Sequence, residues 1–287
     1  MKDIRTVPQD IYNLLEGGKL SEEGIERFGE SIKELLKNQF TEDRKPPALR
    51  MSNAGEPCER KLWYKVNAPS DGEPLTGQTL HKFLYGHLIE ELDLFLAQEA
   101  GHSVEGRQDE LEIEGIKGHR DCILDGVVCD VKSASSYGFQ KFKNHGVEQD
   151  DPFGYMAQLS SYVLASQEDV RVKIKKQGAF LAIDKVSGEI AVDIYDFNPE
   201  LVPDYEAKKE MLGETEPPDR AFKDQTDGLS GNKKLGINCS YCDFKKTCWP
   251  GLRSFAYAGK APVHLTKVVR EPSVPEITDP SVKPRAA

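Results

Sequence analysis

The run GHRDCILDGVVCDVKS, residues 118–133, constrains this chain more than any other stretch. Two short apolar segments meet at Asp125-Gly126, the dipeptide of a two-residue hairpin turn. A turn of that length fixes the register: Leu124 opposes Val127, Ile123 opposes Val128, Cys122 opposes Cys129, and Asp121 opposes Asp130. Side chains alternate, so Cys122, Leu124, Val127, Cys129 and Val131 share a core face. Asp121, Asp130 and Lys132 share the other, with His119 beside them.

Like charges placed opposite each other destabilise a sheet. A divalent cation offsets that repulsion, and hard cations such as Mg²⁺ favour carboxylate oxygen. A cation there can polarise a phosphoryl oxygen and activate water. The lysine can orient that water or stabilise the developing negative charge. The competing reading is a solvated outer face with a salt bridge. Cross-strand registration with a second aspartate favours the cation.

Helical periodicity covers 20–38, with Ser21 as N-cap, and 76–100, closed by Gly101. Residues 41–49 break the pattern as a linker, and a short helix starts near Cys58. Strands are expected at 108–113, 116–124 and 127–133, then a helix at 155–166. Strands at 178–184 and 190–196 follow, joined around Ser187-Gly188, and a polar helix at 200–212. Five prolines between 262 and 284 punctuate the end, which reads as a draped or disordered tail. This order implies an α+β or mixed α/β core. The expected organisation is a helical segment and linker (1–49), a main domain (50–250) and a proline-rich tail (251–287).

At 38% hydrophobic and 30% charged residues, the composition is that of a soluble globular protein. No apolar run approaches the roughly 20 residues of a membrane helix. The opening MKDIRTVPQD has no signal-peptide core, so a cytoplasmic protein without membrane partners is expected. A formal charge of −10 argues against a generally adhesive nucleic-acid binder but leaves room for a basic surface confined to one groove.

Asp121 followed by Asp130-Val131-Lys132 resembles the first acid and the (D/E)-x-K element of the PD-(D/E)XK nuclease superfamily. In that superfamily a preceding helix supplies another acid. YGHLIEELDLFL offers Gly86-x-x-x-Glu90, similar to the GxxxE element of the RecB-like and phage exonuclease branches. His87 and Glu91 compete for this role, since they lie nearer the middle of the stripe Leu80, Leu84, Leu88, Leu92 and Phe95; Glu90 is preferred, then His87, with His81 and Glu91 behind. Downstream, Gln158 and Tyr162 match the QxxxY helix element, which in RecB-like nucleases contacts DNA or braces the lysine. VVCDVKSAS and DPFGY add a likeness to phage-encoded exonucleases.

Six cysteines in a chain of 287 residues are not a small disulfide scaffold. Cys239-x2-Cys242-x5-Cys248, with Cys58 far upstream, resembles the cluster-binding pattern of CRISPR-adaptation exonucleases and the AddB nuclease domain. Four thiolates can hold a [4Fe–4S] cluster or tetrahedral zinc. Cys58 lacks the close partner of a zinc knuckle, so the cluster is preferred, as a staple of the N- and C-terminal parts. Cys122 and Cys129 read as reduced core thiols.

The resemblance implies a restriction-endonuclease-like α/β core and a Mg²⁺- or Mn²⁺-dependent DNA exonuclease. Its setting would be phage DNA degradation or recombination, in the host cytoplasm if phage-encoded, or a role like that in CRISPR adaptation. Recombination or CRISPR-adaptation proteins would be its partners, and oligomers occur among its relatives. Asp121, Asp130 and Glu90 would bind the cation, with His87 as a further ligand, while Lys132 and Gln158 assist. Arg50, Ser52 and Arg60 flank the first cysteine and, with Tyr162, are candidate DNA contacts. Lys61, Lys65, Lys82, Lys141, Lys143 and the Lys173-x-Lys175-Lys176 cluster are candidate phosphate contacts, and Trp63 and Tyr64 either stack on bases or pack under the cluster. The rival reading is a non-catalytic DNA-binding or assembly subunit stapled by iron–sulfur or zinc.

Overall fold

The computed structural model describes residues 2–40 and 46–278. Helices run α1 (Val7–Gly17), α2 (Glu22–Gln39), α3 (Met51–Ala54), α4 (Glu59–Asn67), α5 (Gly77–Glu99), α6 (Ser136–Lys143), α7 (Tyr155–Ala165), α8 (Tyr205–Gly213), α9 (Ile237–Ser240) and α10 (Lys245–Cys248). Strands run β1 (Val104–Glu105), β2 (Glu110–Ile113), β3 (Ile116–His119), β4 (Cys122–Leu124), β5 (Val127–Ala134), β6 (Gln177–Asp184), β7 (Ile190–Asp196), β8 (Gln225–Thr226), β9 (Lys233–Lys234), β10 (Arg253–Phe255) and β11 (Val263–Lys267). The chain divides into two compact units, Met1–Gly55 with Thr76–Lys209, and Glu56–Leu75 with Glu210–Ala287.

The first unit is mixed α/β. Its sheet has the order β1-β4-β5-β6-β7. Only the β5–β6 pair is parallel in this sheet, and α6 and α7 form the crossover that parallel pairing demands. Because both faces are covered, β6 is a continuous apolar run from Gly178 to Ile183 rather than alternating. Ile4, Val7 and Ile11 meet Leu94 and Leu96 of α5 on one face, over Cys122, Leu124, Val127, Cys129 and Val131. The first helical segment is therefore part of this core and not an appendage. On the other face Met51, Tyr162 and Val163 cover Ile123 and Val128, while Phe139, Phe142 and Met156 cover Phe180 and Ala182.

Ser21 caps α2 by accepting from the Gly24 N–H, and Thr76 caps α5 in the same way from Thr79. Of the expected α5 stripe, Phe95 is buried and Leu80, Leu84 and Leu88 are half-buried. Leu94, Leu96 and Ala97 are buried, whereas Leu92 is 41% exposed, because the helix enters the core only in its second half.

The second unit holds α4, α9 and α10 with a four-stranded sheet of order β10-β11-β9-β8. The stretch expected to drape as a tail supplies two of those strands. Phe255 and Leu265, each 1% exposed, anchor it, and their burial outweighs the neighbouring prolines. The end of the expected tail, 279–287, lies outside the described residues. Trp63 and Tyr64 pack against Phe244, with the Tyr64 and Phe244 rings stacked at 5.4 Å. No helix among the described residues is long and apolar enough to cross a membrane.

Candidate active site

Asp125 and Gly126 adopt φ 47° and 78°, the left-handed pair of a type I′ turn. The register is Leu124 with Val127, Ile123 with Val128, and Cys122 with Cys129. There the ladder stops, so Asp121 does not pair with Asp130 across the strands. Its Oδ2 instead accepts the Val131 N–H at 2.7 Å. The cause is Arg120, fully buried, whose guanidinium donates to Ser166, Asp109 and Asp169 and splits the expected 116–124 strand into β3 and β4. His119 therefore belongs to the β2–β3 hairpin, where its Nε2 lies 3.8 Å from Glu110. Asp130 does not face solvent either: it is 0% exposed.

Helix α5 comes close to β5 because position 86 is glycine. A Cβ there would meet Ser133 Oγ at 3.2 Å. One turn later Glu90 enters the acid cluster. Burial, then the charges of Asp121 and Asp130, push Glu90 up to about 8. Burial, then Asp130, push Asp121 up to about 7 against the opposing effect of Lys132. The neighbouring glutamate has another fate, since Arg107 Nη2 donates to Glu91 Oε2 at 2.5 Å and neutralises it. Glu90 meets only an uncharged donor, Gln108 Nε2 at 2.9 Å, and the same nitrogen lies 3.3 Å from Asp121 Oδ1. His87 shares a cavity of about 630 Å³ with Ser31, Glu34, Glu90, Gln108 and Asp121, while its own side chain is exposed. His81 is exposed as well.

Lys132 Nζ sits 2.5 Å from Asp130 Oδ2, 3.5 Å from Gln158 Oε1 and 4.8 Å from the Tyr155 ring centre. Burial would strip its proton, but Asp130 and Asp121 outweigh burial and hold it well above the usual lysine range. Gln158 in turn donates from Nε2 to Tyr162 Oη at 3.0 Å. Tyr162 is 1% exposed, so its expected DNA contact gives way to a bracing role beneath Gln158. Helix α7 is placed by Gly154, at φ 74°, and by Asp151, whose carboxylate accepts the Tyr155 and Met156 N–H groups.

Both Asp130 oxygens are buried without a hydrogen-bond donor, and the contact with Lys132 is an ion pair outside hydrogen-bond geometry. Among the described residues, no three His, Cys, Asp or Glu side chains stand in the arrangement of a ready-made metal site. What exists is a set of mutually repelling buried carboxylates with unused lone pairs, a donor set that suits a hard cation.

The four outlying cysteines all belong to the second unit. Each is a half-buried free thiol. Burial, then Cys58, Cys242 and Cys248, push Cys239 up to about 11, so its sulfur lies within electrostatic reach of the other three. Trp249 Nε1 is buried without a hydrogen-bond partner. Cys122 and Cys129 face each other in the core as free thiols.

Among the remaining candidates, Ser52 is exposed and Arg50 half-buried. Arg60 is occupied, donating to the Pro217 and Pro218 carbonyls at 3.3 and 2.7 Å. Lys61 and Lys65 pair with Glu56, Lys141 with Asp150, and Lys143 with Glu189. Trp63 and Tyr64 are buried, which fits packing and not base stacking. Sequence reasoning missed Arg107, Gln108 and Tyr155. Tyr155 closes the DPFGY stretch, and Gln108 lies at the expected start of a strand.

No family model matches the chain, and no curated protein matches it. Among solved structures, SSO0001 is similar with a TM-score of 0.42 at 14% identity, covering 76% of this chain and 93% of the other. A phage-related exonuclease from Haemophilus somnus 129PT has a TM-score of 0.30 at 15% identity, covering 58% and 91%. Likenesses this distant carry no functional weight.

Proposed function

We propose that this protein is a divalent-cation-dependent DNA exonuclease that hydrolyses phosphodiester bonds in single strands or at ends. One observation carries the proposal: Glu90, Asp121 and Asp130 are gathered in buried mutual repulsion, and Lys132 lies against Asp130. Maintaining three such carboxylates against a single lysine is unfavourable, and a structural ion pair needs only one of them. Mg²⁺ or Mn²⁺ held by Glu90, Asp121 and Asp130 would supply positive charge to a bound phosphate. Lys132 keeps its proton, so it acts as a fixed cationic donor toward developing negative charge and not as a base. Gln158, braced by Tyr162, sets the direction of that donor. Cys58, Cys239, Cys242 and Cys248 hold a [4Fe–4S] cluster as a staple in this reading, with His87 at the cavity as an outer cation contact. The setting is DNA degradation or recombination of the phage kind, or end processing as in CRISPR adaptation.

DNA labelled separately at each end, single- or double-stranded, is digested across Mg²⁺ and Mn²⁺ titrations. Cation-dependent shortening that Asp130→Asn abolishes supports the reading. A folded protein that cleaves no strand with either cation overturns it.

A further inference from the structure

The loop before β2 grips α5 at two adjacent glutamates. Arg107 takes Glu91, and Gln108 takes Glu90. On its other side Asp109 is pinned by Arg120 and Arg171 at 2.9 and 2.6 Å. Gln108 stands between these anchors at φ 54°, a left-handed conformation that glutamine rarely adopts. Its backbone N–H donates to Asp121 O at 3.2 Å. Its side-chain nitrogen, at 2.9 Å from Glu90 Oε1 and 3.3 Å from Asp121 Oδ1, lies between the two carboxylates. One NH₂ group has a hydrogen for each of them. The reverse orientation would turn a carbonyl oxygen toward two acids, so the nitrogen belongs there.

Mg²⁺ binds carboxylate oxygen at about 2.0–2.1 Å. A cation held by Glu90 and Asp121 would compete with the amide for the carboxylate oxygens to which it now donates, Glu90 Oε1 and Asp121 Oδ1. Resting on the proposed cation-dependent activity, we infer that Gln108 is a resident competitor at the cation site. Its amide holds Glu90 and Asp121 together while no cation is bound and withdraws when one binds, thereby setting the cation concentration at which the site loads. Gln108 is a positioning residue. It touches the ligands and not the substrate.

The test needs no DNA. Mn²⁺ is titrated into Gln108→Leu, Gln108→Ala and wild-type protein, with free Mn²⁺ followed by electron paramagnetic resonance and thermal unfolding recorded with and without the ion. Both variants lack the competing donor, so Mn²⁺ binds on the order of tenfold more tightly, the equivalent of one lost hydrogen bond to a charged group. Their metal-free Tm falls, and the gain in Tm on saturation exceeds that of wild type. Gln108→Asn tolerates the left-handed backbone but is one methylene short, so it keeps more metal-free stability than Gln108→Ala while binding Mn²⁺ like it. A variant that folds only with Mn²⁺ also supports the inference.

Weaker Mn²⁺ binding in the Leu and Ala variants would make Gln108 a ligand, and unchanged binding would make it a bystander. Either overturns the inference alone, provided that Asp130→Asn removes Mn²⁺ binding from the wild-type background. Wild-type protein that binds no Mn²⁺ overturns both this inference and the proposed activity.

Discussion

Lys132 Nζ lies 2.5 Å from Asp130 Oδ2, and the two side chains are only 18% and 1% exposed. They sit two residues apart on β5, so they share one face of a strand that is buried on both sides. An ion pair so enclosed is weak evidence of stabilisation, since desolvation consumes much of the attraction. Its place beside Glu90 and Asp121 is what the proposed activity would use.

Lys132→Ala should therefore lower single-turnover cleavage on the order of 10²–10³-fold, the usual loss when one charge-stabilising donor is removed. DNA affinity, measured by anisotropy, should stay nearly unchanged. Equal losses in binding and turnover would make Lys132 a phosphate anchor. Gln158→Ala should cost less than Lys132→Ala, because it only releases the direction of the ammonium.

The acid cluster makes the metal-free protein sensitive to pH. Burial and neighbouring carboxylates raise Glu90 to about 8 and Asp121 to about 7. The folded state thus retains protons that the unfolded chain releases near pH 4. Their contribution to stability is full below that point and is lost as pH rises through about 7 to 8. Tm measured in chelator should fall between pH 5 and pH 9, and saturating Mg²⁺ should reduce the fall by holding the acids ionised. A chelated protein whose Tm is as flat as that of the Mg²⁺ form would contradict the coupling.

Gly154 tests how the lysine brace is built. At φ 74°, a Cβ there would collide with the Gly55 carbonyl oxygen. Gly154→Ala should cost roughly 2–5 kcal/mol, from left-handed strain and overpacking together. It should also lower cleavage, since Gly154 N-caps the helix that carries Gln158. Chemical denaturation with an unchanged midpoint would refute this.

The cysteines separate staple from chemistry. Protein purified without oxygen should absorb broadly near ~400 nm if Cys58, Cys239, Cys242 and Cys248 share a cluster. Cys58→Ser should bleach it and lower Tm, because the binding free energy of a structural centre is partly folding free energy. Cys122→Ser should leave the colour intact. Colourless protein with stoichiometric zinc would exclude the cluster and leave the acid site untouched.

The sequence by itself determined whatever depends on neighbours along the chain. The turn at Asp125-Gly126 set the register as far as Cys122–Cys129, because two left-handed residues admit one pairing. Periodicity and caps placed α2 and α5, and the 155–166 and 178–196 elements followed from apolar pattern. Choices among chemically equivalent residues were made by tertiary structure. Glu90 and Glu91 are identical in type and adjacent, and only the approach of Arg107 to one and Gln108 to the other tells them apart. Buried Arg120 ended the ladder one residue before Asp121, because its charge had to reach Asp109 and Asp169. Burial of Tyr162 turned a candidate DNA contact into a brace. Local pattern follows from backbone geometry within a few residues, whereas which side chain meets which charge depends on segments far apart in sequence that only the packed fold brings together.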